Sequence, residues 1–330
     1  MRCKIHAKKI GTICILLFVL PVFLNRIAYS GESGIFKPKL SIKLTGGLRY
    51  INVGDINNHI ESFDNYMSSS SYLSFYEGGK MGKINNYGPD LEGELRLDIS
   101  SKFAVGVGIG YISGKNESNF QTVGIFPFPP PDQLYIPEIS PPCDLFEFVV
   151  ESKVVTIPIK LGIYYTIPLG SRINIFLKSG LDYYFSKCFI YKYNEIISLD
   201  WTVPMLEFYE ISNKYDMRGN GLGFNGGLGF EYKISNVFAL VLEIQRRYAK
   251  IKKLKGKWIY SNTFTLEQGE DEGILYIAKK NMEDEGFSDM YPDLVVSPSK
   301  PSGAKIIYTR EATLDLSGFS LRVGIRIKLF

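Results

Sequence analysis

Hydrophobic and polar positions alternate strictly over the last fifteen residues, L-S-G-F-S-L-R-V-G-I-R-I-K-L-F. Phe319, Leu321, Val323, Ile325, Ile327 and Leu329 share one parity, and Ser320, Arg322, Gly324, Arg326 and Lys328 share the other. A period of two is that of a strand with one apolar face; on a helix the three cations would be scattered around the girdle.

The same pattern recurs in residues 40–50, 90–99, 102–112, 154–167, 173–185, 220–232 and 237–248, so that with 316–330 it predicts eight strands. In 220–232, for example, Leu222, Phe224, Leu228, Phe230 and Tyr232 oppose Gly221, Gly223, Asn225, Gly227 and Glu231. Pro158 is awkward in its strand, since proline gives no donor to a ladder and belongs at an edge or bulge.

Connections alternate between short turns of about 2–5 residues, such as Ser100-Ser101, 168–171 and Ser235-Asn236, and stretches of about 30–65 residues. The long ones, 52–86, 113–148, 188–218 and 249–312, read as loops; residues 251–260 and 306–309 are candidates to extend flanking strands. Segregation of short and long connections, with an even number of strands of roughly ten residues, is the signature of a transmembrane antiparallel up-and-down β-barrel with short periplasmic turns and four long extracellular loops. Lipid favours that closure, because only a closed ladder satisfies every backbone donor and acceptor there. Tyr50, Tyr111, Tyr165, Tyr183, Phe185, Tyr232 and Tyr248 lie on the apolar parity near strand ends, as an aromatic girdle would.

If the apolar parity faces lipid, the other parity faces the lumen. It collects Lys43, Arg49, Glu92, Glu94, Arg96, Asp98, Lys160, Lys178, Asp182, Glu231, Glu243, Arg247, Arg322, Arg326 and Lys328. Closing the sheet sets the first strand between the cationic last strand and the acidic second one, and opposed charges should pair because an isolated charge in a narrow interior is expensive. Two readings follow: a structural plug of salt bridges, or an ion path whose pairs exchange. Eight strands leave an interior about filled by side chains, against an open pore.

The N-terminus changes the charge balance. Arg2, Lys4, Lys8 and Lys9 precede an apolar run over residues 10–24, and Ala28-Tyr29-Ser30 supplies small residues for a signal peptidase. Cleavage after Ser30 is expected, leaving residues 31–330 as one barrel domain; retention as an anchor is the alternative, and Cys14 lies too early for a lipoprotein signal. The whole chain has 38 Lys and Arg against 34 Asp and Glu, but five of the cations and no acid lie in residues 1–30. The remainder is near neutral, which excludes a nucleic-acid partner. A mean hydropathy near zero with 32 glycines and 14% aromatics suits an exported all-β chain.

Candidate chemistry is sparse. Cys143 and Cys188 remain after the leader, and one disulfide between them is possible. The one histidine left, His59, falls in the Asn-rich stretch N-N-H-I-E-S without a partner in sequence, so it reads as an exposed loop residue rather than a catalytic base. The acidic run 269–273 lacks the alternating oxygen ligands of a Ca²⁺ loop and reads as a solvated loop, and the glycines of 219–229 precede no helix that could cradle phosphate. No cofactor is expected.

With its leader, its eight apolar-faced strands and a terminal aromatic residue, the chain resembles the small eight-stranded outer-membrane barrels of the OmpA, OmpX and OmpW kind. The resemblance is one of pattern over most of residues 38–330. It implies an outer-membrane location in a Gram-negative-type bacterium, contact with outer-membrane lipid, and recognition of the last strand by the barrel-insertion machinery. In that group the terminal aromatic shares the apolar parity, whereas Phe330 here shares parity with Arg326 and Lys328. The expected role is non-enzymatic, structural or surface-interacting, with long loops that bind a partner. A narrow channel for small solutes is the alternative, and a lipid-modifying enzyme a remote one.

Overall fold

The computed structural model describes residues 38–69, 82–125, 143–200, 205–263, 265–280, 293–303 and 306–329. The expected leader, the proline-rich run 126–142 and Phe330 lie outside these residues. One antiparallel sheet dominates: β1 (Lys39–Ile51), β2 (Tyr87–Asp98), β3 (Phe103–Ile125), β4 (Cys143–Pro168), β5 (Ile173–Asp200), β6 (Met205–Lys233), β7 (Phe238–Ile251), β8 (Lys255–Asn262), β9 (Glu267–Lys280), β10 (Asp293–Ser297), β11 (Ile306–Glu311), β12 (Leu314–Asp315) and β13 (Gly318–Lys328). Among the described residues one helix, α1 (Asp55–Ser69), lies between β1 and β2.

Strands β1 to β7 pair in sequence order, β7 pairs β13, and β13 pairs β1. The sheet therefore returns to its starting strand as a ring of eight, with the cationic β13 and the acidic β2 on either side of β1, as the charge pattern requires. Burial alternates without a break along β7. Across the ring Leu44, Leu48, Leu91, Ile109, Ile163, Leu222, Ile244 and Val323 are exposed on the outside, while Lys43, Arg49, Glu92, Lys160, Glu243 and Arg322 are buried within. An apolar exterior around a charged interior inverts the soluble arrangement, and it is the arrangement lipid selects.

Short turns close one end. Ser100 and Ser235 make the same device there: each hydroxyl accepts the backbone N–H of the residue three positions on, Phe103 at 2.9 Å and Phe238 at 3.0 Å. Tyr50 stacks on Phe319 at 5.6 Å and meets Tyr87 edge-on at 5.3 Å, forming part of an aromatic rim towards the other, outer end.

The outer end differs from the expected loops. Residues 113–125, 143–153, 186–200 and 205–219 continue β3 to β6 far past the apolar belt, up to the pairing of Asp200 with Met205. In these extensions the faces exchange character: Val150, Cys188, Ile190, Tyr215 and Met217 are buried inwards in an apolar core while Lys153, Lys187 and Lys214 are exposed outside, so the apolar-outward pattern that marks the membrane part is lost. β6 is the branching strand: its inner half pairs β7 and its outer half pairs β8, from which β9, β10 and β11 continue. Most of the expected loop 249–312 is thus sheet. The acidic run 269–273 lies inside β9, opposite Lys257 and its neighbours, and Glu270 binds Lys257. Pro158 sits within the ring, where β3–β4 pairing lapses opposite Gly110 and Tyr111 and resumes in unchanged register.

The β1–β13 seam that closes the ring depends on Gly47, Gly318 and Gly324, each of which faces backbone of the other strand. A Cβ on Gly324 would overlap the backbone oxygen of Leu44, and one on Gly47 the backbone oxygen of Leu321. Gly324→Ala is expected to destabilise the barrel by about 1–3 kcal/mol, because rigid backbone rather than a flexible side chain must give way. The loss should appear as a lower urea midpoint of the heat-modifiable form in lipid vesicles. An unchanged midpoint would show that the seam can open to admit a methyl group.

Candidate functional site: a charged lumen under an apolar cap

The i, i+2 spacing on β2 puts Asp90, Glu92, Glu94 and Arg96 in one inward column, all buried. Glu92 is the hub. Its carboxylate binds Lys160 from β4 and Arg322 from β13, lies 3.0 Å from Lys178 of β5, and is 3.8 Å from Lys43 of β1. Glu94 is 2.8 Å from Lys178 and 3.2 Å from Lys43. Glu243, from β7, is 3.0 Å from Lys43 and 2.6 Å from Arg322. Three carboxylates and four cations from six strands therefore neutralise one another almost completely in a space from which water is excluded. Each charge leaves water only because several partners replace it.

Tyr164 completes the hub. It donates its O–H to Glu94 at 2.6 Å, accepts from Lys43 at 2.8 Å, and carries the Arg96 guanidinium 4.6 Å above its ring. Towards the short-turn end Arg326 is 2.8 Å from Glu231 and 3.6 Å from Asp98, while Arg96 is 3.0 Å from Asp98. Towards the outer end Arg247 binds Asp90, and a neutral chain runs from Gln245 to Asn225 at 2.8 Å and from Asn225 to Asp182 at 2.6 Å.

The structure thus brings most of the lumen-parity residues into contact, with three differences. Lys328 is half-buried at the short-turn mouth, outside the hub. Asp182 meets Tyr184 and Asn225 rather than a cation, because Lys160, its register partner on β4, reaches to Glu92 instead. Arg49 donates to the backbone oxygen of Ser113 instead of joining an ion pair. Tyr164, Tyr184, Asn225 and Gln245 were legible only as members of the inward parity; their partners come from non-adjacent strands, and strand order across a closed ring is needed to see them.

Cys143 and Cys188 are not a disulfide. Both lie in strands rather than loops, Cys188 is a free buried thiol, and it sits opposite Val154, far along β4 from Cys143. The extension of β4 and β5 carries Cys143 towards the outer end, away from Cys188.

Above the hub the lumen is filled by apolar side chains. Ile56 and Ile60 of α1 are fully buried against Ile51, Val53, Ile84, Ile112, Val154 and Leu314. Residues 55–69 therefore form a plug helix, not a loop, and the signal was the i, i+4 pair Ile56 and Ile60 following Asp55. Asn57 ties the helix to the chain before β2, donating to Ile84 O at 3.1 Å and accepting from Ile84 N at 2.9 Å. Asp55 accepts from Thr313 N at 2.7 Å and from Arg310 at 2.6 Å, a hydrogen bond that holds the guanidinium above its ordinary pKa range. His59 is buried on this helix, with Nε2 2.7 Å from Lys192 Nζ and 4.0 Å from Asp293, so it is not the exposed loop histidine its neighbours suggested. Among the described residues no group of His, Cys, Asp and Glu is arranged to hold a metal ion.

Solved structures similar to the chain include a major outer membrane protein from Thermus thermophilus, at 11% identity and a TM-score of 0.33, covering 89% of this chain and 100% of that one. The outer membrane protein AlkL in lipid bilayers follows at 13% identity and a TM-score of 0.31, covering 91% and 94%. Ail, the attachment invasion locus protein of Yersinia pestis, gives 10% identity and a TM-score of 0.26, covering 88% and 97%. No curated protein matches. The family model for the outer membrane protein beta-barrel domain matches residues 38–269, from the first residue before β1 into the outer extension. An eight-stranded ring with an apolar exterior, a charged lumen and that match together make the chain a member of the outer membrane protein β-barrel domain family, located in the outer membrane of a Gram-negative-type bacterium.

Proposed function

We propose that the protein is a sealed, non-enzymatic outer-membrane scaffold that carries a rigid β-wall outside the membrane as an interaction surface. The observation that carries this reading is the double closure of the lumen. Lys43, Glu243 and Arg322 cross it with fully buried side chains, and the α1 plug caps it with Ile56 and Ile60. An ion entering would have to separate several mutually neutralising charges and then displace an apolar core. Chemistry has little purchase either: the one histidine after the leader is buried against Lys192. Outside, the extended β3 to β6 and the β8–β9 pair form continuous sheet, which presents side chains at fixed spacing where free loops would first have to be ordered.

The reading is tested by reconstituting the mature chain into planar lipid bilayers. No resolved conductance steps are expected across physiological voltages. Stable unitary steps from the heat-modifiable, folded protein would replace the scaffold reading with the narrow-channel one.

A further inference from the structure

The short-turn end of the barrel, which faces the periplasm in barrels of this kind, holds a cavity of about 280 Å³. That is close to the lower limit of small-molecule sites, at ~300–1,000 Å³. Lys39, Arg96, Lys102, Lys233, Arg326 and Lys328 line it, against the carboxylates of Asp98 and Glu231. Both carboxylates are already taken by the two arginines. Arg96 is 3.0 Å from Asp98 and 3.8 Å from Glu231, and Arg326 is 2.8 Å from Glu231 and 3.6 Å from Asp98. Lys102, Lys233 and Lys328 are therefore in excess around a concave mouth, where low-dielectric walls concentrate the field.

Exposed lysines alone would make only a solvated rim. The floor adds a second feature. Arg96 and Arg326 are each 3% exposed, yet Arg96 Nη1 and Arg326 Nε and Nη1 donate no hydrogen bond. Glu231 Oε1, equally buried, accepts none. Buried donors and acceptors left in this way are costly, and a ligand that completes them recovers the cost.

These groups are also held in place. Arg96 Nη2 donates to Thr166 Oγ1 at 3.0 Å, and its guanidinium lies 4.6 Å from the centre of the Tyr164 ring. Asn174 donates to the other oxygen of Glu231 at 3.2 Å. The floor therefore needs little reordering to bind, which favours affinity for a small ligand.

From this arrangement we propose that the short-turn mouth binds a small phosphorylated polyol from the periplasmic side. Its phosphate sits on Arg96 and Arg326, because a phosphate offers more charge and more acceptor oxygens than a carboxylate to two guanidiniums with unused donors. A hydroxyl of the polyol donates to Glu231 Oε1, the one buried acceptor left open on the floor among the described residues. The rim lysines draw the anion in and balance its remaining charge.

The test titrates the folded mature chain in neutral detergent micelles with glycerol 3-phosphate, read by calorimetry, beside glycerol and inorganic phosphate at equal ionic strength. The wild type should bind glycerol 3-phosphate more tightly than inorganic phosphate, and glycerol not at all. Lys102→Gln/Lys233→Gln/Lys328→Gln, which leaves the buried floor intact, should weaken binding by about tenfold or more through loss of the focused positive field. Arg326→Lys keeps a cation beside Glu231 but loses the planar fork, and should weaken binding by about tenfold as well. A Lys153→Gln/Lys187→Gln control on the outer wall should bind like the wild type, and heat-modifiability checks the folding of each variant. Absence of binding by the wild type, equal affinity for inorganic phosphate, or a triple lysine variant that binds unchanged would overturn the proposal. Each result is read from binding alone and stands apart from whether the lumen conducts.

Discussion

Glu92→Gln should be the most damaging single substitution in the lumen, at about 3–5 kcal/mol, the cost of leaving buried charge without its partner. Glu92 meets Lys43, Lys160, Lys178 and Arg322 together. Glutamine keeps the shape but removes the negative charge, so Lys160, which meets no other carboxylate within ion-pair distance among the described residues, is left with Gln245 at 3.3 Å. The measurement is folding free energy from urea titration in lipid vesicles. Adding Lys160→Met to Glu92→Gln should restore part of the loss, since the stranded cation is then removed as well. If the double variant is worse by the sum of the two single effects, the residues act independently and the hub is not a coupled network.

On the lipid face, Ile325→Arg should cost about 2–4 kcal/mol, the penalty for a cation near the bilayer midplane. Ile325 is exposed on the outside of β13, opposite Leu44 of β1 and Leu240 of β7, with no acid on that face to receive it. Its neighbour Arg326 is buried on the lumen side against Glu231 and Asp98, so Arg326→Leu should also destabilise, by stranding those carboxylates. The adjacent pair therefore separates the two faces. A silent Ile325→Arg together with a strongly stabilising Arg326→Leu would mean that β13 is turned the other way round.

Alternation along residues 40–50, 90–112, 154–185, 220–248 and 316–330 was enough to determine which side chains face lipid and which face the lumen. A membrane strand has two unlike solvents on its two faces, and a period of two records both. Strand number in the ring and the adjacency of β1 to β2 and β13 followed from the same pattern, because a barrel leaves no other way to satisfy its edge strands. Above the membrane the code changes sense: Val150, Ile190 and Met217 are buried inwards while Lys153, Lys187 and Lys214 face out, the reverse of the lipid-facing pattern. The extensions of β3 to β6 and the stretches of β9 and β10 were therefore read as loops, and residues 251–260 and 306–309 as continuations of flanking strands, whereas β8 pairs β6 and β11 pairs β9.

Only the tertiary structure decided who meets whom in the lumen. Arg326 could have been assigned to Glu243 or Glu94, but it pairs with Glu231, because the stagger of neighbouring strands sets height along the barrel and height sets partners. Helix α1 was hidden for a related reason. Two isoleucines among asparagines do not mark a stable helix by themselves, and it is the apolar upper lumen formed by Ile51, Ile84, Ile112, Val154 and Leu314 that gives Ile56 and Ile60 somewhere to be buried.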